Sequence, residues 1–259
     1  MQLEPIMLGL LAGITVLLGA LPLSFIRRDN KKLLGSLSAL AGGVLSYIAM
    51  DTGSSAEEII QQYARIQTLD SFILYTITTA ISFLLVLLLL TGIEKRLKVK
   101  RNGAVGSAQL TSFSSLTAAV ALGVHNVGEG FAIAAALIAN QVVSALLFTI
   151  GFGIHNATEG FAIVAPMDKR TFASVGSLSL IAGLPTMLGA SVYYFGILND
   201  LFLANLYSIA TAAIVYALLK INLSAASKLG GFNYTFWFFL FLGVAIALGT
   251  ESVINIAMG

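Results

Sequence analysis

The sequence predicts an all-α integral membrane protein with eight transmembrane helices. Of its 259 residues, 58% are hydrophobic and only 10% are charged, whereas about 25% are charged in an ordinary soluble domain. The mean hydropathy is +0.92, and many apolar runs reach the length of about 20 helical residues that a hydrocarbon core requires. These observations exclude a water-soluble globule. The absence of cysteine also excludes disulfides and thiolate metal sites.

Eight apolar runs are long enough to be membrane spans. Gly and Ser are frequent within them, which favours close packing into a single bundle. We therefore expect residues 1–259 to form one transmembrane domain. The expected spans are Ile6–Ile26, Leu33–Met50, Phe72–Gly92, Phe113–Ala139, Val142–Met167, Phe172–Gly196, Phe202–Ile221 and Phe236–Met258.

Basic residues cluster in the loops that follow spans one, three, five and seven, all on one side. Only Arg65 is expected in a loop on the other side. The positive-inside rule makes the basic side cytoplasmic, so both termini lie outside a multi-pass protein of the cell membrane. Nucleic acid is not an expected partner, because these residues lie in short loops beside apolar spans. They are Arg27, Arg28, Lys31, Lys32, Lys95, Arg96, Lys98, Lys100, Arg101, Lys169, Arg170 and Lys228.

The longest of these connectors, from Glu94 to Thr111, is basic, contains Gly and has few apolar residues. We expect it to be a mobile linker. It divides the chain into three spans followed by five.

Spans four and five each contain the pattern HNxxEG, followed by Phe-Ala-Ile. Ionisable groups within membrane spans are costly and rare, which makes both copies candidates for a functional site. The chain has no other histidine. The two copies supply His125, Asn126 and Glu129, and then His155, Asn156 and Glu159.

The spacing within the pattern suits a metal ion. Residues four apart on a helix face the same side, so each His–Glu pair can offer a nitrogen and an oxygen to one ion. A tight turn near Asn140 and Gln141 makes the spans antiparallel, and both histidines are about 15 residues, or about 22 Å, from it. A lone buried His or Glu usually forms a hydrogen bond between helices. Duplication of the His–Glu pair at matched depth favours metal binding instead. A divalent cation would also offset the repulsion between two carboxylates.

At these residues the sequence resembles the ZIP (Zrt/Irt-like protein) family of divalent metal transporters, in its bacterial or archaeal form. The resemblance extends over the whole chain: eight spans, outward termini, the basic loop after span three, and Gly-rich patches at Ala41–Val44 and Ala182–Ala190. It implies a bundle with helices 4 and 5 at the centre, flanked by inversely related groups of three, and a homodimer. It also implies a site for two metal ions with bridging glutamates, whose ligands are His125, Asn126, Glu129, His155, Asn156 and Glu159.

The chain departs from the family pattern at several positions. Gly128 and Thr158 replace the proline that often precedes each motif Glu, and Thr186 replaces the acid of span six. The second metal position is therefore in question. Lys220 in span seven either replaces the charge of a second ion or, as we expect, extends to the cytoplasmic interface. Glu251 in span eight is expected to be a hydrogen-bonded or interface-facing acid.

The predicted function is transport of a divalent transition metal toward the cytoplasm, without enzymatic activity or a prosthetic group. Nitrogen and oxygen ligands suit Zn²⁺, Fe²⁺, Mn²⁺, Co²⁺ or Cd²⁺, and the resemblance favours zinc. The expected partners are the metal ion and the lipid bilayer. One alternative is an intramembrane zinc-dependent hydrolase, although no further buried acid or His is evident as its base. A retinal-binding photoreceptor is a weaker alternative, because no acid is evident as a counterion to Lys220.

Overall fold

The regular structure is helical in every part of the chain that the structure describes, with no β-strand there. The computed structural model describes residues 4–25, 30–66, 69–99, 107–167, 170–195 and 199–258. Short 3₁₀ turns at Leu21–Phe25 and Ser191–Tyr194 follow the first and sixth helices. The α-helices in these ranges are α1 (Pro5–Ala20), α2 (Lys31–Ile66), α3 (Leu69–Val99), α4 (Ser107–Ile138), α5 (Val142–Val164), α6 (Phe172–Ala190), α7 (Asp200–Leu229) and α8 (Tyr234–Met258).

Seven of these eight helices are long and apolar enough to cross a membrane. The exception is α5, in which His155, Asn156 and Glu159 lower the mean hydropathy. The predicted number of helices is confirmed. Their length and composition are consistent with a multi-pass membrane protein.

Three helices continue past the predicted ends of their spans. The second continues from Met50 to Ile66, the third from Gly92 to Val99, and the seventh from Ile221 to Leu229. An apolar run ends at the first polar residue, whereas a helix can continue through polar residues whose side chains stabilise it. In α2, for example, Gln61 Nε2 donates a hydrogen bond of 2.7 Å to Glu57 Oε1 one turn earlier.

The predicted mobile linker from Glu94 to Thr111 is wrong at both ends. Residues 94–99 complete α3, and residues 107–111 begin α4. Glu, Lys and Arg are good helix formers, so a charged composition does not end a helix. Several residues of the predicted spans and loops lie outside the described ranges: Ile26, Arg27, Arg28, Lys100, Arg101, Lys169 and Gly196.

The predicted tight turn between spans four and five is confirmed. Asn140 adopts the left-handed conformation with φ of 59°, and the Gln141 amide donates a hydrogen bond of 2.8 Å to the Ala136 carbonyl. Asn tolerates this conformation better than most residues. The turn makes α4 and α5 antiparallel neighbours, with the two HNxxEG motifs at similar distances from it.

The helices pack as two sets. α1, α4, α5 and α6 pack mainly on one another, whereas α2 packs on α7 and α8, and α3 on α7. Glycines allow the closest contacts within each set: Gly13 faces Gly183 between α1 and α6, and Gly43 faces Gly243 between α2 and α8. The sets meet where α4 contacts α7 and where α5 contacts α2 and α8. Both motif helices therefore lie at the junction between the sets.

The largest buried apolar cluster is shared between the two sets. It includes Val16, Leu122 and Ile163 from the first set, and Leu45 and Ile214 from the second. Because this cluster joins seven of the helices, its burial stabilises the junction at which the motif residues lie.

Candidate metal centre

The four ionisable side chains of the two motifs meet in one buried cluster. His125 and Glu129 come from α4, and His155 and Glu159 come from α5. Each offers one nitrogen or oxygen atom, and these four atoms all lie within 4.8 Å of one another. Glu159 is fully buried and His155 is 1% exposed. The predicted convergence of both His–Glu pairs is therefore observed.

The atoms that face the centre of the cluster are Nε2 of each imidazole and Oε1 of each carboxylate. His125 Nε2 lies 3.9 Å from Oε1 of Glu129 and 3.9 Å from Oε1 of Glu159. His155 Nε2 lies 3.9 Å from the same Glu159 atom. Glu159 Oε1 has no hydrogen-bond partner although it is buried. A buried acceptor of this kind requires a partner, and a cation is one that could satisfy it.

The outward nitrogen of each imidazole contacts a threonine of the second set. His125 Nδ1 and the Thr52 hydroxyl of α2 form a hydrogen bond of 2.9 Å. His155 Nδ1 lies 3.5 Å from the Thr250 hydroxyl and 3.8 Å from Glu251 Oε2, both on α8. An outer partner that accepts the Nδ1 hydrogen leaves the Nε2 lone pair for a metal ion.

The outward oxygen of each carboxylate accepts a hydrogen bond from the asparagine of the opposite motif. Asn126 Nδ2 donates to Glu159 Oε2 at 2.8 Å, and Asn156 Nδ2 donates to Glu129 Oε2 at 3.0 Å. Both asparagines are fully buried. The structure thus places all six predicted site residues together, but it turns the amide nitrogens of the asparagines toward the carboxylates.

The glycine after each motif glutamate serves close helix packing. A Cβ atom on Gly130 would overlap the Thr186 carbonyl oxygen of α6, and one on Gly160 would overlap the Val16 carbonyl oxygen of α1. Small residues of this kind let helix backbones approach closely. The glycines therefore hold the glutamate-bearing turns of α4 and α5 against their neighbouring helices.

Three residues of the site were not predicted as part of it. Thr52 and Thr250 carry no distinguishing sequence signal, because threonine is common in membrane helices. Glu251 did carry one, as an acid within an apolar span. Its Oε2 lies 3.8 Å from His155 Nδ1, beyond hydrogen-bond distance, which places this acid at the edge of the cluster.

Lys220 does not belong to the cluster. Its ammonium lies 2.8 Å from Oε2 of Glu94, which is buried in α3, and Tyr216 donates a hydrogen bond to the same oxygen. The side chain of Lys220 is 35% exposed. Glu94 is therefore a counterion to this lysine, although no acid is evident in that role from the sequence. Because the sequence pattern assigns Glu94 to a linker rather than to a helix, its position opposite α7 cannot be inferred from the sequence.

The cluster offers two imidazole nitrogens and two carboxylate oxygens. Among the residues that the structure describes, no other Asp, Glu, His or Cys joins it. This mixture suits borderline divalent ions such as Zn²⁺, Fe²⁺ or Co²⁺, whereas Cu⁺ prefers thiolates and thioethers. With neutral imidazoles and ionised carboxylates, the charge is minus two, which one divalent ion would neutralise.

Comparison with known proteins gives no further guide to the site. No model of a protein family matches the chain, and no curated protein matches it.

Proposed function

We propose that this protein carries divalent transition-metal ions across a membrane, and that the cluster of His125, Glu129, His155 and Glu159 is its transport site. One observation carries the proposal: two imidazoles and two carboxylates converge, buried, between helices that are mostly long enough to span a bilayer. The resemblance of the paired HNxxEG motifs to the ZIP family supports the same function and favours zinc. Membership of that family and a homodimeric assembly are part of the proposal.

Electrostatics explains why a mobile cation suits this position. A carboxylate at the centre of a bilayer costs about 2.5–3.5 kcal/mol on insertion scales, and two of them repel each other. A divalent ion relieves both costs when it enters, and it can leave again because no ligand is a thiolate. Alternating exposure of one interior site to the two sides of the membrane is the general mechanism of secondary transporters.

Access to the site is uneven among its four residues. His125 is 7% exposed and Glu129 6%, whereas His155 and Glu159 are almost completely enclosed. An ion would therefore first meet the α4 pair and then the α5 pair. The hydrolase alternative would have to take its base from outside the motifs, for instance from Glu251 at the edge of the cluster, because both motif glutamates direct an oxygen at the centre.

Uptake of radioactive Zn²⁺ into sealed proteoliposomes tests the proposal. We expect time-dependent uptake by the wild-type protein, and uptake at the level of empty liposomes for Glu129→Gln and Glu159→Gln. Glutamine keeps the side-chain shape and an oxygen that can accept the asparagine hydrogen bond, so the fold should be retained. Glu58→Gln, which changes an exposed acid of α2, is the matched control. Undiminished uptake in both motif variants would rule out this transport site.

A further inference from the structure

The two oxygens of each motif carboxylate have different surroundings. Oε1 of Glu129 and Oε1 of Glu159 face the imidazole Nε2 atoms at 3.9 Å. Oε2 of each accepts a hydrogen bond from an asparagine of the other helix. Each glutamate therefore has one oxygen for an ion, while the other is already in use.

Each asparagine amide lies between two hydrogen-bond acceptors. Asn126 Nδ2 also donates to the Ala182 carbonyl of α6 at 3.1 Å, and Asn156 Nδ2 to the Ala12 carbonyl of α1 at 3.2 Å. A flipped amide would place its oxygen against a carboxylate and a carbonyl, both of which are acceptors. The NH₂ group must therefore face the glutamate, which ties each carboxylate to the backbone of a third helix.

A second ion shared by the two glutamates would have to compete with the asparagine amides for the Oε2 atoms. It would also add two positive charges to a site that one divalent ion already neutralises. Apart from the glutamates, the groups that the asparagine amides contact there are uncharged backbone carbonyls. The buried Oδ1 atoms of the two asparagines have no hydrogen-bond partner, but they carry no charge either. In an interior of low dielectric, such an uncompensated charge is strongly unfavourable.

We propose that each chain binds one divalent ion, through Nε2 of His125 and His155 and Oε1 of Glu129 and Glu159, and that Asn126 and Asn156 are positioning residues. This inference rests on the proposed function and refines it. It differs from the six-ligand, two-ion site that the ZIP resemblance implies.

The spacing of the four atoms fits this assignment. Ligands at about 2.0–2.1 Å from a tetrahedral zinc ion lie about 3.3 Å apart. The three nitrogen–oxygen separations of 3.9 Å exceed that value by a margin that small side-chain rotations can close. Four-coordinate binding requires the four atoms, which lie within 4.8 Å of one another, to move closer together.

The first test is the number of ions bound. Purified wild-type protein in detergent is equilibrated with Zn²⁺, passed through a desalting column and analysed for metal and protein. We expect one zinc per chain. Two zinc ions per chain, in protein that transports zinc, would overturn the one-ion site while leaving the proposed function intact. No bound zinc and no uptake would overturn both.

The second test separates a positioning residue from a ligand. Asn126→Ala and Asn156→Ala are titrated with Co²⁺, whose visible absorption reports its coordination number. We expect affinity to fall about 10- to 100-fold, as is usual for outer partners of metal ligands. The spectrum at saturation should remain that of the wild-type four-coordinate ion. Glu129→Gln, which removes a ligand charge, should alter that spectrum.

Asn205→Ala is the matched control, because Asn205 is a partly buried asparagine of α7 that bonds to α3 rather than to the cluster. It should leave Co²⁺ affinity unchanged. A changed coordination number in either asparagine variant of the motifs would show that the amide is a ligand and would overturn the inference. If those variants do not fold, the zinc count of the wild-type protein still decides.

Discussion

At the scale of single residues, each histidine and glutamate of the cluster has a polar contact at the atom that points away from the centre. Each imidazole contacts a threonine and each carboxylate an asparagine, while the inward atoms face one another. Outer partners fix the orientation of metal ligands before the ion arrives. The four ligands come from α4 and α5, yet the threonines come from α2 and α8. The second set of helices therefore takes part in ion binding indirectly.

Replacing Thr52 by valine should weaken metal binding. Valine keeps the branched shape but removes the hydroxyl that meets His125 Nδ1 at 2.9 Å, so the ring loses its fixed orientation. We expect a fall of about 10-fold in Zn²⁺ affinity, at the low end for outer partners. Competition with a chromogenic chelator measures it. Thr79→Val, which alters a buried threonine bonded within α3, should leave affinity unchanged. Equal affinities in both variants would contradict the role of Thr52.

The residues on α4 and α5 could be predicted from sequence, whereas their outer partners could not. Spacing of four residues fixes which side chains share a helix face, and a short turn fixes the register of two adjacent helices. No such rule relates α4 to α2, or α5 to α8, because long stretches of chain separate them. Thr52 is one of many threonines, and its facing residue depends on packing alone. The role of the asparagine nitrogens likewise depends on acceptors from α1 and α6.

At the scale of helices, backbone-to-backbone contact at glycines determines which elements pair. A Cβ atom on Gly13 would overlap the Gly183 carbonyl oxygen, and one on Gly183 would overlap that of Gly13. The sequence indicated close packing from the abundance of Gly and Ser, but not which glycines would face each other. It also placed the ends of α2, α3 and α7 too early, because apolar runs mark where a helix can meet lipid rather than where it ends.

Gly183→Ala should destabilise the protein, since neither backbone can move aside without disturbing the packing of α1 on α6. Overpacking of this kind costs about 1–3 kcal/mol. We expect a lower midpoint of thermal unfolding in detergent, followed by intrinsic fluorescence. Gly176→Ala in the same helix is the control, because an added Cβ there meets no atom within 4 Å. Alanine favours helix by about 1 kcal/mol over glycine, so this control should be neutral or slightly stabilising. The opposite order would contradict the assigned packing.

At the scale of the whole molecule, the distribution of charge predicts an orientation that can be tested directly. The turn at Gln141 lies at the end of the bundle opposite to Tyr234, where α8 begins after the short turn that follows Lys228 and the end of α7. If basic loops face the cytoplasm, residue 141 is outside the cell and residue 234 inside. Both positions are exposed, Tyr234 to 95%.

The chain contains no cysteine, so a single introduced thiol reports its own position without background. In intact cells, Gln141→Cys should react with a membrane-impermeant maleimide, whereas Tyr234→Cys should react only after permeabilisation. The cysteine-free parent controls for labelling of other proteins. A reversed labelling pattern would show the opposite orientation of the protein. The electrical potential of the cell would then draw a divalent cation through the site from the Tyr234 end toward the Gln141 end. Labelling of both residues in intact cells would contradict a bundle that spans the membrane between them.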